Sequence, residues 1–333
     1  NIALAILWFV IAALFALAGI TRIQTARIER LHPPLETFAE VSGSKIHYRL
    51  VPADPDADLP PLVFIHGASG NLKDPMVPFS PMLNGRASLL FFDRPGHGWS
   101  TISKDKDDSI AAQAETIAAL MKQLGVSPAI VVAHSFGGSV GATLAVNHPE
   151  TVKGLVFLSP ATHPWPGCDV AAYYDVTNTP LLGRIFSETL ATPAGSMRLA
   201  SGSQGVFAPN PMPESYVSDA SIDLVLRPHS FRANARQVGS LCEHNGRMQP
   251  RYKEIAVPTV VITGNQDSVV AEEIHSKGLE ADIAGSELVW IDGMGHKPDY
   301  VATDLAVAAI EKVAGLHRDL QSMARELEIR LKK

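Results

Sequence analysis

Concentrated positive charge is missing from this chain. Its 333 residues carry 28 Lys and Arg against 34 Asp and Glu, a formal net charge of −6, which argues against a nucleic-acid partner, since such a partner needs a basic face. Cysteine is nearly absent. Cys168 and Cys242 cannot build a disulfide framework, and the sequence leaves open whether they are free or paired. No metal-ligand spacing and no phosphate-cradling glycine loop is found, so neither a metal nor an organic cofactor is expected. There are no internal repeats. The first twenty residues, "NIALAILWFVIAALFALAGI", contain no charge at all and no polar stripe of the kind a core helix shows.

That last absence is informative. About 20 apolar residues at about 1.5 Å each span a hydrocarbon core of about 30 Å, so residues 1–21 are expected to be a single-pass membrane anchor. A secretory signal peptide with "ALA" at 16–18 as its cleavage site is the alternative, which would leave the protein secreted or periplasmic. The run exceeds a usual signal-peptide apolar stretch, which favours the anchor. Arg22, Arg27 and Arg30 follow directly, and the positive-inside bias then leans the following domain to the cytoplasm. Residues 22–37, ending in "LHPPLE", read as a stiff linker.

Beyond the linker, "FAEVSGSKIHYRLV" alternates around a Ser-Gly turn as a β-hairpin does. Short apolar runs at 62–66, 88–93, 129–134 and 154–159 then alternate with helical patterns at 109–124 and 136–148. Strands apolar on both faces, separated by helices, predict a parallel sheet covered on each side. The beat stops at 160–250, a stretch rich in Pro, Gly, Ser and Tyr, and resumes with "PTVVITG" and "ELVWID". The interruption reads as a cap inserted between two core strands, with the core at 38–159 and 251–315. From about Thr303 the pattern is one long helix whose Val313, Leu316, Leu320, Met323 and Leu327 form a heptad-like seam, with Glu326–Arg330 and Glu328–Lys332 as i,i+4 pairs. Its last part, 316–333, is expected to extend from the core. The N- and C-terminal helices are therefore the candidate homo-oligomer contacts.

Four stretches carry chemistry. In "IVVAHSFGGSV" a buried strand runs into Ser135 and straight on into a helix. A serine on so sharp a strand-to-helix turn needs small neighbours two positions away, here Ala133 and Gly137. A hydroxyl needs a base to remove its proton and a third group to orient that base. His296, after the glycine-rich turn of "ELVWIDGMGHKP", and Asp267, in "PTVVITGNQDSVV", follow two later strands. Ser135, Asp267, His296 is the chain order expected of this arrangement. "LVFIHGASGN" offers an N–H, at Ala68 first and Ser69 second, to meet that of Phe136 in an oxyanion hole.

Together with "FFDRPGHGWS" these blocks resemble those of the α/β-hydrolase superfamily, in particular its monomeric esterase and C–C hydrolase branches. The likeness covers about 40–315 except the cap. It implies an α/β fold with a mostly parallel sheet flanked by helices, and it implies supporting, not catalytic, parts for Asp93, Arg94 and His97. A serine at 135 separates the chain from the epoxide-hydrolase and dehalogenase branches, which carry an aspartate there. The expected activity is hydrolysis of a carboxylic ester through an acyl-enzyme. A C–C hydrolase or cofactor-free haloperoxidase with the same triad is the alternative, and a membrane-tethered binding module with a vestigial site is the third reading. His134 is expected in the pocket wall. Trp165, Tyr173, Tyr174, Phe207, Met212 and Tyr216 in the cap suggest a mainly apolar substrate, whereas Arg232 and Arg236 fit a solvated face.

Overall fold

The computed structural model describes residues 2–35, 37–103 and 108–332. Eight strands form one sheet: β1 (Phe38–Val41), β2 (Ser44–Val51), β3 (Leu62–Ile65), β4 (Leu89–Phe92), β5 (Ala129–His134), β6 (Val152–Leu158), β7 (Thr259–Gly264) and β8 (Glu287–Ile291). Their spatial order is β1-β2-β4-β3-β5-β6-β7-β8. The β1–β2 and β2–β4 pairs are antiparallel and the remaining five parallel. The hairpin β1–β2 turns through Ser42 and Gly43, both at positive φ.

Period-two alternation sends successive side chains of each strand to opposite faces. Val63, Ile65, Val131, Ala133, Leu155 and Phe157 meet helices α3 (Ile110–Gln123) and α4 (Phe136–Asn147) on one face. Leu62, Phe64, Ile130, Val132, Val156 and Leu158 meet α2 (Lys73–Leu83), α12 (Thr303–Val313) and α13 (Leu320–Leu331) on the other. Both faces are dry, which is why the strands read as continuous apolar runs. Ser109 caps α3 by accepting from Ala112 N, the usual stop for an orphan helix-start donor.

Between β6 and β7 the chain leaves the sheet and folds into helices: α5 (Ala172–Asn178), α6 (Pro180–Phe186), a single π-turn at Ser187–Ala191, α7 (Thr192–Phe207), α8 (Tyr216–Asp219) and α9 (Pro228–Met248). The return to the sheet brings α10 (Glu272–Asp282) and the short α11 (Pro298–Val301). The insertion is thus a helical cap. Cys168, on its entry segment, is disulfide-bonded to Cys242 in α9, closing the point the sequence left open.

Two boundaries differ from expectation. Helix α1 runs from Ile2 to Leu31 without interruption, so most of the supposed linker is helical and only the segment from His32 onward, of which Glu36 lies outside the described residues, connects it to β1. Ile28 is buried against Leu224, Val225 and Leu226 of the cap; that apolar contact holds the helix together past the arginines. At the other end, Gly315 (φ +101°) breaks the long helical pattern. Past it α13 folds back, with Leu320, Ala324 and Leu327 buried on the sheet's own helices. Most of the seam therefore faces this chain's own core, while Leu316 is left exposed. The expected i,i+4 pairs give way to ties to the core: Arg330 with Asp304, Lys332 with Asp292, and Glu328 accepting from Asp292 N.

Candidate active site

Ser135 sits where β5 becomes α4, at φ 53° and ψ −122°, a region that costs a non-glycine residue about 1–3 kcal/mol. The turn is wedged in place. A Cβ at Gly137 would come 2.4 Å from the carbonyl oxygen of Ile65, so only glycine fits there, while Ala133 two residues before the serine is fully buried and accommodated. His296 and Asp267 arrive from the ends of β8 and β7. His296 Nε2 lies 2.9 Å from Ser135 Oγ, and His296 Nδ1 lies 2.7 Å from Asp267 Oδ2. The carboxylate can only accept, so Nδ1 carries the proton and Nε2 is left to take the serine's. Asp267 Oδ1 accepts from Val269 N and Val270 N. Burial alone would raise its carboxyl, but the neighbouring imidazole and those two N–H groups outweigh it and hold Asp267 below the usual carboxylate range.

His134 Nε2 donates to the carbonyl of His296 at 2.9 Å and its ring lies 5.0 Å from that of His296. It is a wall residue that grips the histidine loop, with burial keeping it neutral. Among the described residues no protein acceptor takes the N–H of Ala68 or Phe136; Ala68 lines the cavity in front of Ser135, and Phe136 directly follows the serine at the start of α4. The N–H of Ser69, by contrast, is occupied by Asn234 Oδ1 at 2.8 Å, with Asn234 Nδ2 returning to Ser69 Oγ at 3.1 Å. Ala68 is therefore the better-placed donor of the two. Below this loop, buried Arg94 donates to the carbonyls of His66 and Gly67 and lies over the Phe136 ring. Asp93 accepts from Leu72 N and Trp99 N, and His97 bonds Gln237. All three are supports.

Asn234, on α9, was not singled out from sequence; nothing local marks it. Its two bonds to Ser69 suspend the oxyanion-side loop from the cap. Asn234→Ala is expected to lower kcat by about tenfold to a hundredfold, through a loosened loop, with the melting temperature shifted little; stopped assays on a soluble ester check it.

In front of the serine lies a cavity of about 570 Å³. Tyr173, Tyr174 and Tyr216 line it as expected, together with Phe186, Leu199, Val206, Leu226 and Phe231. Three of the six expected residues are elsewhere. Trp165 packs on the sheet side, its indole donating to Asp169 O. Phe207 is fully buried behind the wall against Tyr216 and Tyr300. Met212 packs beside that cluster, outside the cavity. Arg232 and Arg236 pair with Glu188 and Asp108, away from the site.

Sequence reasoning also missed a buried ionic cluster. Lys297, next to His296, places its ammonium 3.0 Å from Asp74 and 2.9 Å from Asp299. The phenol of Tyr216 donates to Asp74 Oδ1 and that of Tyr300 to the Asp74 carbonyl. Asp74, His134 and Asp299 bring possible ligand atoms within 4.8 Å of one another, but the lysine ammonium already neutralises the carboxylates, so the set is a poor fit for a metal ion.

A family model described as alpha/beta hydrolase fold matches residues 60–298. The chain belongs to this family. Its relatives include a putative esterase/lipase of Haemophilus influenzae, 24% identical over 78% of this chain and 87% of that protein. An sn-1-specific diacylglycerol lipase of Mus musculus is 32% identical over 40% of this chain and 43% of its own length. The curated relatives matched at 29–33% identity are spanned by the chain over less than half of their length. Among solved structures, a membrane phospholipase A superposes with a TM-score of 0.65 at 20% identity, over 95% of this chain and 98% of that one, a likeness that shows the fold. Esterase and lipase relatives support a hydrolase. One helix, Ile2–Leu31, is long and apolar enough to cross a membrane by length and composition.

Proposed function

We infer that this hydrolase cleaves a carboxylic ester with a large apolar group, through an acyl-enzyme on Ser135. The carrying observation is the unbroken Asp267–His296–Ser135 hydrogen-bond chain opening onto the apolar cavity. Ser135 Oγ attacks the ester carbonyl as His296 Nε2 takes its proton, and the carbonyl oxygen, now an anion, is held by Ala68 N and Phe136 N. Collapse expels the alcohol, which takes the proton from His296. Water then enters and attacks the acyl carbon as His296 Nε2 removes its proton; the bond to Ser135 Oγ breaks, Oγ takes that proton back from His296, and the acid is released. Asp267 stays ionised and holds the imidazole in the tautomer that can accept. A vestigial binding module would have no reason to keep all these bonds at hydrogen-bond length. A panel of p-nitrophenyl esters of increasing chain length tests the reading. Turnover, together with fluorophosphonate labelling of Ser135, supports it; stoichiometric labelling without ester turnover points to the C–C hydrolase, and absence of both to the binding module.

We further propose that α1 is a membrane anchor, on its length and apolar composition, with the domain on the oxidising side. The Cys168–Cys242 bond favours that side because disulfides persist in oxidising compartments, against the cytoplasmic lean taken from Arg22, Arg27 and Arg30. The Cys168–Cys242 bond ties the cap's entry to α9 across 74 residues, and reducing it is expected to lower stability by about 2–4 kcal/mol. Thermal melts with and without reductant check this, and unreduced, denatured protein is expected to take up no maleimide.

A further inference from the structure

Outside α1, ten large hydrophobic side chains are exposed among the described residues, and six of them fall within 173–197: Tyr173, Leu181, Leu182, Ile185, Leu190 and Met197. Scattered exposed apolar residues mean little, but a cluster on one short stretch marks an interaction surface. Leu181 and Met197 are 74% and 82% exposed. Helix α6, the π-turn and α7 carry five of the six.

The same stretch receives α1. Thr21 Oγ1, one residue past the apolar run, donates to the carbonyl of Thr189, beside Leu190. Further along, Ile28 packs on Leu224, Val225 and Leu226, Glu29 pairs with Arg227, and His32 bonds Asp223 and Ser221. The last third of the helix is therefore fixed to the cap, while residues 2–10 are entirely exposed. A span of residues 2–20 is about 28 Å long, close to the hydrocarbon thickness. With that span in a bilayer, Thr189 and Leu190 lie at its edge, and Leu181, Leu182, Ile185 and Met197 share the boundary with exposed Arg22, Arg184 and Arg198. Apolar side chains ringed by arginines suit the zone between acyl chains and phosphates. The cavity wall is cut from the same helices: Tyr173, Phe186, Gly195, Arg198 and Leu199 line it, and Tyr173, 44% exposed, brings that wall to the surface on this face.

We propose that the α5–α7 face of the cap is a bilayer-docking surface, through which the cavity takes its ester directly from the lipid phase. The proposal rests on the ester-hydrolase reading above and adds where the substrate comes from. The other occupant such a face could take, a second copy of this chain, is separated by the test.

The full chain is reconstituted in vesicles of equal parts phosphatidylcholine and phosphatidylglycerol, alongside the triple variant L181Q/L182Q/M197Q. These three side chains are exposed and lie outside the cavity wall, so the fold and the triad are left alone. Hydrolysis of a soluble short-chain p-nitrophenyl ester is expected to stay within about twofold, while hydrolysis of a long-chain ester dissolved in the bilayer falls about tenfold or more. Equal loss on both substrates, or none on either, overturns docking, as does a change of oligomeric state without a change in the bilayer rate. A second readout needs no catalysis. A fluorophore on Met197→Cys is expected to be quenched by brominated acyl chains, and one on Ile329→Cys is not. If Met197 goes unquenched the docking surface fails, whereas quenching without ester turnover by the unsubstituted protein sinks the ester-hydrolase reading alone.

Discussion

Ser135→Ala is expected to abolish ester turnover, by about 10⁴-fold or more, and to melt within about one degree of the unsubstituted protein. The two halves of that expectation have separate causes. The hydroxyl is the only group lost, and it is the one bonded to His296 Nε2 at 2.9 Å. The backbone at φ 53°, ψ −122° is equally unfavourable for alanine, so the strain of the turn persists. Glycine is different, since it occupies that region freely. Ser135→Gly is therefore expected to be as inactive as Ser135→Ala yet to melt above it, by about 1 kcal/mol of released strain. Comparing the two variants by calorimetry and by a chromogenic ester separates the cost of holding a serine in this turn from its use. A Ser135→Ala protein that keeps most of its turnover would remove the mechanism altogether.

The strained turn was legible in the sequence because its constraints are local. Small residues must stand at 133 and 137 for the chain to pass β3, and the parallel strands announce themselves because burial on both faces removes every polar position from them. His296 and Asp267 were found by a rule of order and strand-end position that survives any distance in sequence. The cap was harder for a physical reason. Its glycines and prolines read as loop, but Pro180, Pro193 and Pro228 each sit in the first turn of a helix, where the missing N–H costs nothing, and packing, not propensity, holds those helices. Aromatic content marked the cap as apolar without telling the inner wall from its backing, so Tyr173 and Tyr216 lie in the cavity while Trp165 and Phe207 do not. At the C-terminus, periodicity showed a seam but not what it faced. One glycine at 315 decided that.

The ionic cluster beside the triad was invisible because its partners, Asp74 and Lys297, are 223 residues apart, and it is where the largest loss of stability is expected. Lys297 is 1% exposed. Burial by itself would depress its ammonium, but Asp299 and Asp74 outweigh that and hold it above the ordinary lysine range. With the folded value raised, the stabilisation is fully present below the free lysine pKa of about 10.4 and fades only as pH rises through the folded one, so the cluster is intact at every neutral pH. Removing the cation by Lys297→Met leaves Asp74 and Asp299 buried without their counter-charge, which costs about 3–5 kcal/mol. With about 2.1 cal/mol/K of unfolding entropy per residue, this corresponds to a fall of about 4–7 °C in Tm. Lys297→Met with Asp299→Asn is expected to melt above Lys297→Met alone, because the second change removes one of the stranded charges. That non-additivity distinguishes electrostatics from lost packing under the Phe207, Tyr216 and Tyr300 rings, which both variants share. Since Lys297 follows His296 directly and Tyr216 bonds the same carboxylate from the cap, kcat is expected to fall with stability in the single variant and to recover in part in the double.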